Sequence, residues 1–293
     1  MSQPLLMGIV NATPDSFSDP QGEKTLDALV ARAHGLADDG AAIVDVGGES
    51  GRTDRPPVPV EEERARVVGL IERLAADGLR VSVDTWRAPV ARAALAVGAS
   101  MVNDVSGLSD VEVADACAEA GADLVITHTR VPPKVKGFPE YGDVVADVIE
   151  LLRERAALAG EHGVGEDQLI FDPGIDIAKT PAESIEVLRR LPEVAELGRP
   201  LLVAVSRKDF VGALTGRAPA ARDAGTLAAL GIAADAGARI LRVHDVAAAR
   251  DYLAVRSALS NGAAHDLKLD PGLRRGVCHP LAHMNRPPDQ KGP

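Results

Sequence analysis

The feature that most constrains this chain is a repetition. Short apolar runs rich in β-branched residues fall at 5–10, 41–46, 80–83, 101–105, 123–127, 168–171, 201–205 and 239–243, and longer segments of helical period follow them at 25–39, 61–77, 87–97, 111–120, 144–162, 181–197, 225–236 and 246–259. Unbroken short runs are the pattern of strands buried on both faces, whereas apolar residues every three to four positions form one stripe of a helix. Strand followed by helix therefore occurs eight times. Four of the helix-to-strand junctions share one phrase, Gly40-Ala41, Gly98-Ala99, Gly121-Ala122 and Gly237-Ala238. Glycine there ends a helix in the left-handed conformation that other residues adopt only at a cost.

Right-handed crossovers put every helix on one side of a parallel sheet, and eight such units close into a barrel of roughly 250 residues. Residues 4–260 match that length, so the predicted fold class is α/β, a single-domain (β/α)8 TIM barrel. A doubly wound open sheet is the alternative, but no Gly-x-Gly-x-x-Gly follows the first strand. After Leu259 the periodicity stops, and 261–293 reads as a flexible tail. Its Cys278, His279 and His283 fall short of a four-ligand metal site.

Composition narrows the function. Hydrophobic residues make up 46% of the chain and aromatics 2%, which suits an interior of Val, Leu, Ile and Ala. A net charge of −11 sets the chain against nucleic acid and anionic membranes as partners. An anionic substrate would need a local cluster of cations or a metal. No stretch approaches the roughly 20 apolar residues that cross a bilayer, and the N-terminus has no basic region before its short apolar run. A cytoplasmic location is expected. Cys117 and Cys278 are too few for a disulfide framework, and Cys117 reads as a small buried hydrophobe on a helix.

In such a barrel the C-terminal strand ends share one mouth. Strand one ends in Asn11, strand two in Asp45 and Glu49, strand three in Asp84, strand four in Asn103-Asp104 and strand five in His128. Strand six ends in Asp172, strand seven in Ser206-Arg207-Lys208, and strand eight in Arg242 and His244. One Asp after a strand is usually a helix cap; a polar residue at every strand end is a site. Carboxylates (Asp84, Asp172), amides (Asn11, Asn103) and cations (Lys208, Arg52, Arg242, with His244) suit a ligand with a donor-rich heterocycle at one end and phosphate at the other.

These residues lie in segments that resemble the motifs of the dihydropteroate synthase family. They are Asn11-Ala12-Thr13-Pro14-Asp15-Ser16-Phe17-Ser18-Asp19, Gly47-Gly48-Glu49-Ser50, Ser82-Val83-Asp84-Thr85 and Asn103-Asp104-Val105-Ser106-Gly107, then Asp172-Pro173-Gly174-Ile175, Lys179-Thr180, Ser206-Arg207-Lys208, Gly225-Thr226-Leu227-Ala228 and Arg242-Val243-His244-Asp245-Val246. The similarity spans the barrel in order. It implies condensation of 6-hydroxymethyl-7,8-dihydropterin diphosphate with 4-aminobenzoate, releasing pyrophosphate, in folate biosynthesis. It further implies that Asp84, Asn103, Asp172 and Lys208 hold the pterin, that Arg52, Arg242 and His244 bind the diphosphate, and that Asn11 positions a Mg2+ ion there. Phe17 and the first two strand-to-helix loops, 12–20 and 50–57, would act as lids, and the chain would be a homodimer.

Departures from the family pattern cluster on the acceptor side. Gly51 and Thr53 stand where the family has Thr and Pro, Asp176-Ile177-Ala178 where it has Gly-Phe-Gly, and Asp209 where Ser follows Arg-Lys; Thr129, where Met follows the strand-five His, is the exception and would touch the pterin side. Asp176 and Asp209 are expected to add negative charge where a benzoate carboxylate binds, weakening 4-aminobenzoate and sulfonamide binding or selecting another acceptor.

Overall fold

The computed structural model describes residues 3–12, 25–51, 53 and 55–261. Phe17, Arg52, Asp54 and the tail residues Cys278, His279 and His283 lie outside the described residues. Eight strands appear where the apolar runs predict them: β1 (Leu5–Asn11), β2 (Ile43–Gly47), β3 (Val81–Asp84), β4 (Met101–Asp104), β5 (Asp123–Thr127), β6 (Leu169–Asp172), β7 (Leu202–Val203) and β8 (Ile240–Val243). Their order in the sheet is β6-β5-β4-β3-β2-β1-β8-β7, with every pair parallel. The two ends meet through a parallel bridge between Phe171 and Leu201, where the Phe171 N–H donates to the Pro200 carbonyl at 2.9 Å. That contact closes the barrel.

Around it lie α1 (Leu26–Asp38), α2 (Val60–Ala76), α3 (Ala88–Ala96), α4 (Glu112–Ala120), α5 (Val144–Glu161), α6 (Pro181–Arg189), α7 (Leu191–Ala195), α8 (Asp209–Thr215), α9 (Asp223–Asp235) and α10 (Val246–Asn261). Two differ from the sequence reading. The single helix expected over 181–197 is two, because Pro192 cannot donate a backbone hydrogen bond and the chain breaks at Arg190, whose φ of −105° and ψ of 17° are not helical. The short α8 was not expected, since seven residues carry too little period to be seen. The four junction glycines have φ of +110°, +108°, +63° and +90° at Gly40, Gly98, Gly121 and Gly237, as the repeated phrase predicts.

Alternation along each strand sorts the core into two bodies. One set of side chains packs between strands and helices, with Cys117 fully buried among them; burial pushes its thiol up to about 12, so it stays a thiol. The other set, Met7, Ile43, Met101, Val125, Ile170, Leu202 and Ile240, fills the barrel interior as an apolar floor. Two residues further along the same strands the interior turns polar. Among the described residues no helix is long and apolar enough to cross a membrane.

Candidate active site

The polar layer follows from register. Cα pairing sets Asn11 beside Gly47, Gly47 beside Asp84 and Asp84 beside Asn103, a row across four strands all facing inward. Thr127 pairs with Asp172 in the same manner. Above the apolar floor they open into a cavity of about 460 Å3, whose wall includes Asn11, Asp84, Asn103, Thr127, Asp172, Ser206, Lys208, Arg242 and His244. That volume suits a bicyclic ring with substituents. Of the residues assigned to ligand or metal, Asn11, Asp84, Asn103, Asp172, Lys208, Arg242 and His244 meet in this one cavity.

Arg242 is the hinge of its electrostatics. Its Nε donates to Asp45 Oδ2 at 2.6 Å and its Nη2 to Asp84 Oδ2 at 2.9 Å, while Asn103 Nδ2 donates to the same Asp45 oxygen at 3.1 Å. Asp45 is fully buried, so it acts from beneath the cavity by holding Arg242 and Asn103 in place. These two bonds use two of the five guanidinium N–H groups, leaving donors for a bound anion. Burial pushes Asp84 up to about 7 despite Arg242 beside it. Arg242 itself is raised, because Asp45 and Asp84 together outweigh the burial that would lower it.

At β6 the Asp172 Oδ1 accepts from the Gly174 N–H at 2.7 Å, fixing the turn of the following loop. Lys179 locks that loop from within. It is 2% exposed, and its Nζ reaches His128 Nδ1 at 2.7 Å and the carbonyls of Gly174 at 3.0 Å, Ile177 at 3.3 Å and His128 at 3.4 Å. Burial brings the Lys179 ammonium down to about 7. The other imidazole nitrogen, His128 Nε2, lies 2.7 Å from Asp147 Oδ1. Burial and Lys179 hold His128 at about 3, so it is neutral and, once the lysine donates to Nδ1, carries its proton on Nε2 toward Asp147. His128 is thus corrected from a mouth residue to a structural one: it is buried and outside the cavity wall. Asp104 is corrected likewise. Its side chain alternates to the outside of the barrel and caps the next loop through the Ser106 and Leu108 N–H groups, at 2.7 and 3.0 Å.

Ser206 and His244 join the ends of β7 and β8. Ser206 Oγ accepts from the His244 N–H at 3.2 Å and lies 2.8 Å from His244 Nδ1, which fixes the orientation of the ring. Burial, followed by Arg242, Arg207 and Lys208, lowers His244 to about 4. An arriving diphosphate reverses that cationic influence.

The two acidic departures part company. Asp176 lines the cavity with φ of +59°, its N–H donates to Ser184 Oγ at 3.1 Å and its Oδ2 accepts from the Phe210 N–H at 3.1 Å. Its Oδ1 is buried without a hydrogen-bond partner among the described residues. Asp209, expected in the acceptor pocket, turns outward at 87% side-chain exposure to pair with Arg222 at 2.9 Å. It occupies the first position of α8, which aims its side chain back along the helix surface. Thr129, read as touching the pterin side, does line the cavity, as do Gly51, Thr53 and Ile177.

Thr127, Trp86 and Lys134 also lie in the wall and are not among the residues expected there. Thr127 is findable by counting two residues on from Val125. Trp86 is the chain's one tryptophan, two residues beyond Asp84. Lys134 lies in a loop with no periodicity, and nothing in the sequence marks it.

Fold and site define a barrel enzyme whose mouth binds a heterocyclic anion. Residues 7–244 match the family model of pterin binding enzymes. The chain is 40% identical over 266 residues to the dihydropteroate synthase of Bacillus subtilis, covering 89% of this chain and 90% of that one. It is 44% identical over 242 residues to a probable bifunctional folylpolyglutamate synthase/dihydropteroate synthase of Haloferax volcanii, covering 82% of this chain but only 29% of that longer protein. Dihydropteroate synthase of Xanthomonas albilineans, solved with 4-aminobenzoic acid, superposes with a TM-score of 0.83 at 45% identity, over 88% of this chain and 94% of that one. The chain belongs to the dihydropteroate synthase family of pterin-binding enzymes.

Proposed function

We propose that this chain is a transferase that condenses 6-hydroxymethyl-7,8-dihydropterin diphosphate with 4-aminobenzoate and releases pyrophosphate, a step of folate biosynthesis. The observation that carries this is the convergence of Asp84, Asn103, Asp172, Lys208, Arg242 and His244 on one cavity, in a chain 45% identical to a synthase solved with 4-aminobenzoic acid. Asp172 and Asp84 accept hydrogen bonds from the N–H groups of the pterin, and Asn103 and Lys208 complete its edge. Lys208 suits donation: it lies near the Asp172 and Asp176 carboxylates, although burial lowers its pKa. Arg242 and His244 take the diphosphate, and the family resemblance adds Arg52 to that role and Phe17 to the substrate-binding residues.

The acceptor's nitrogen lone pair attacks the exocyclic methylene of the pterin. The C–O bond to the diphosphate breaks, pyrophosphate leaves with that electron pair, and the amine proton passes to water. Cations fixed around the leaving group stabilise the charge as it develops there. No residue need act as a base of matched pKa.

A Mg2+ ion fits the same end. A Cβ built on Gly47 would make ordinary contacts, 3.7 Å from Asn11 Oδ1 and 3.8 Å from Asp84 Oδ2, so two hard oxygen donors lie close together beside this strand end. Among the described residues no group of three or more His, Cys, Asp or Glu could hold a metal, so Asn11 and Asp84 would hold the ion together with the substrate. Bound there, Mg2+ would neutralise charge on the diphosphate. Exposed Ile232 on α9 and Val255 on α10 support a homodimer through outer helices, which sedimentation would test. The reaction is tested by complementation: the gene restores growth without folate products to a synthase-deficient cell, and a version encoding Asp172→Asn does not. Failure of the unaltered, soluble protein to rescue would reject it.

A further inference from the structure

The connection between β5 and α5 crosses the cavity mouth and puts Val131, Pro132, Pro133, Lys134 and Val135 in its wall. Lys134 is held at φ of +67°, in a turn closed by the Val135 N–H on the Pro132 carbonyl at 3.2 Å and preceded by two prolines of fixed φ. Glycine would sit there without strain, so a lysine at this position points to use of its side chain. The side chain is 9% exposed. Its Nζ donates to the Ser50 carbonyl, 84 residues away, at 2.8 Å, and lies 3.5 Å from Glu49 Oε1. Glu49 is anchored in turn by Arg87 Nη1 at 2.8 Å and accepts the Val58 N–H at 3.2 Å. The β2–α2 loop is thus pinned at both ends of its stem, Ser50 by Lys134 and Val58 by Glu49, and Glu49, Ser50 and Gly51 form part of the cavity wall.

We infer that Lys134 is a positioning residue for the proposed synthase reaction, tying the β5–α5 loop to the β2–α2 stem and so holding one wall of the cavity at the spacing bound substrates require. It acts through Ser50 and Glu49. Glu49 keeps Arg87 when Lys134 is removed, so no buried charge is orphaned and the barrel stays folded.

Lys134→Gly separates side chain from backbone, because glycine keeps the left-handed conformation. Its Tm stays within a few degrees of wild type, amide hydrogens over 49–58 exchange faster, and KM for the pterin diphosphate rises about tenfold or more with a smaller change in kcat, the size expected when a wall shifts by a fraction of an ångström to an ångström. Lys134→Arg, which can reach both oxygens, recovers part of the KM. A merely structural role would lower the folded fraction and kcat and leave KM alone. Unaltered exchange in Lys134→Gly, or faster exchange with unaltered KM, overturns the inference. If wild-type protein itself fails to turn over, the proposed reaction is wrong and the kinetic role falls with it, whereas exchange still shows whether the tie exists.

Discussion

Arg242→Met should be the costliest single change in the polar layer. Asp45 is 0% exposed, and without Arg242 one of its oxygens keeps only the 3.1 Å bond from Asn103 while the other has no partner among the described residues. Removing one member of a buried ion pair costs about 3–5 kcal/mol, mainly because the other charge is stranded. At roughly 2–4 °C per kcal/mol for a domain of this size, the Tm falls by about 6–20 °C. The loss also depends on pH. Burial holds Asp84 at about 7, and Arg242 is the strongest influence pulling it down, so the variant's Asp84 titrates higher still. A carboxyl whose folded pKa exceeds its unfolded value contributes stability that is full in acid and lost as pH rises through the folded pKa. The deficit is therefore larger at pH 8 than at pH 5. Thermal denaturation of wild type, Arg242→Met and Arg242→Met with Asp45→Asn at both pH values checks this. The double variant recovers more than half of the loss; a drop below about 2 °C, or one equal at both pH values, would refute the assignment of Arg242 as counter-ion to the buried Asp45 and the cavity-lining Asp84.

Four further outcomes are expected. Gly174→Ala destabilises by about 2 kcal/mol or more, since its Cβ would fall 2.1 Å from the His128 carbonyl, a backbone atom, at a φ of +69°; chemical denaturation reads it. Pterin affinity is flat above pH 7 and falls by up to tenfold per unit below it, as Asp84, held at about 7, loses its charge; Trp86 in the cavity wall supplies the fluorescence signal, and a pH-independent affinity would contradict it. Lys179→Met unlocks the β6–α6 loop by removing the donor that Gly174, Ile177 and His128 share, lowering kcat/KM roughly tenfold or more in steady-state assays. Asp176→Gly relieves a left-handed aspartate and removes a carboxylate from the cavity wall, so KM for 4-aminobenzoate and the sulfonamide inhibition constant both fall, while KM for the pterin diphosphate stays within about twofold.

Much of this is legible in the amino-acid sequence. The eight apolar runs and the Gly-Ala junctions carry the barrel because burial on both faces and a left-handed helix end each leave a local mark. Strand ends were legible for the same reason, but which of them face inward was not, until period two was set by the floor residues. Asn103 and Asp104 are neighbours in sequence, yet one lines the cavity and the other caps a loop. His128 likewise reads as a residue of the mouth, although Lys179, 51 residues away, claims it. Asp209 looked like a pocket residue by position alone, and Arg222, which draws it outward, lies on a segment whose approach no local pattern encodes. Lys134 was invisible because its importance rests on a contact across 84 residues.

The most direct test of the account is a single-turnover reaction of purified protein with pterin diphosphate, Mg2+ and 4-aminobenzoate, with dihydropteroate and pyrophosphate quantified together. The account predicts equal amounts of both, dependent on the acceptor and abolished in Asp172→Asn. Pyrophosphate without dihydropteroate, or neither product at saturating acceptor, would contradict it.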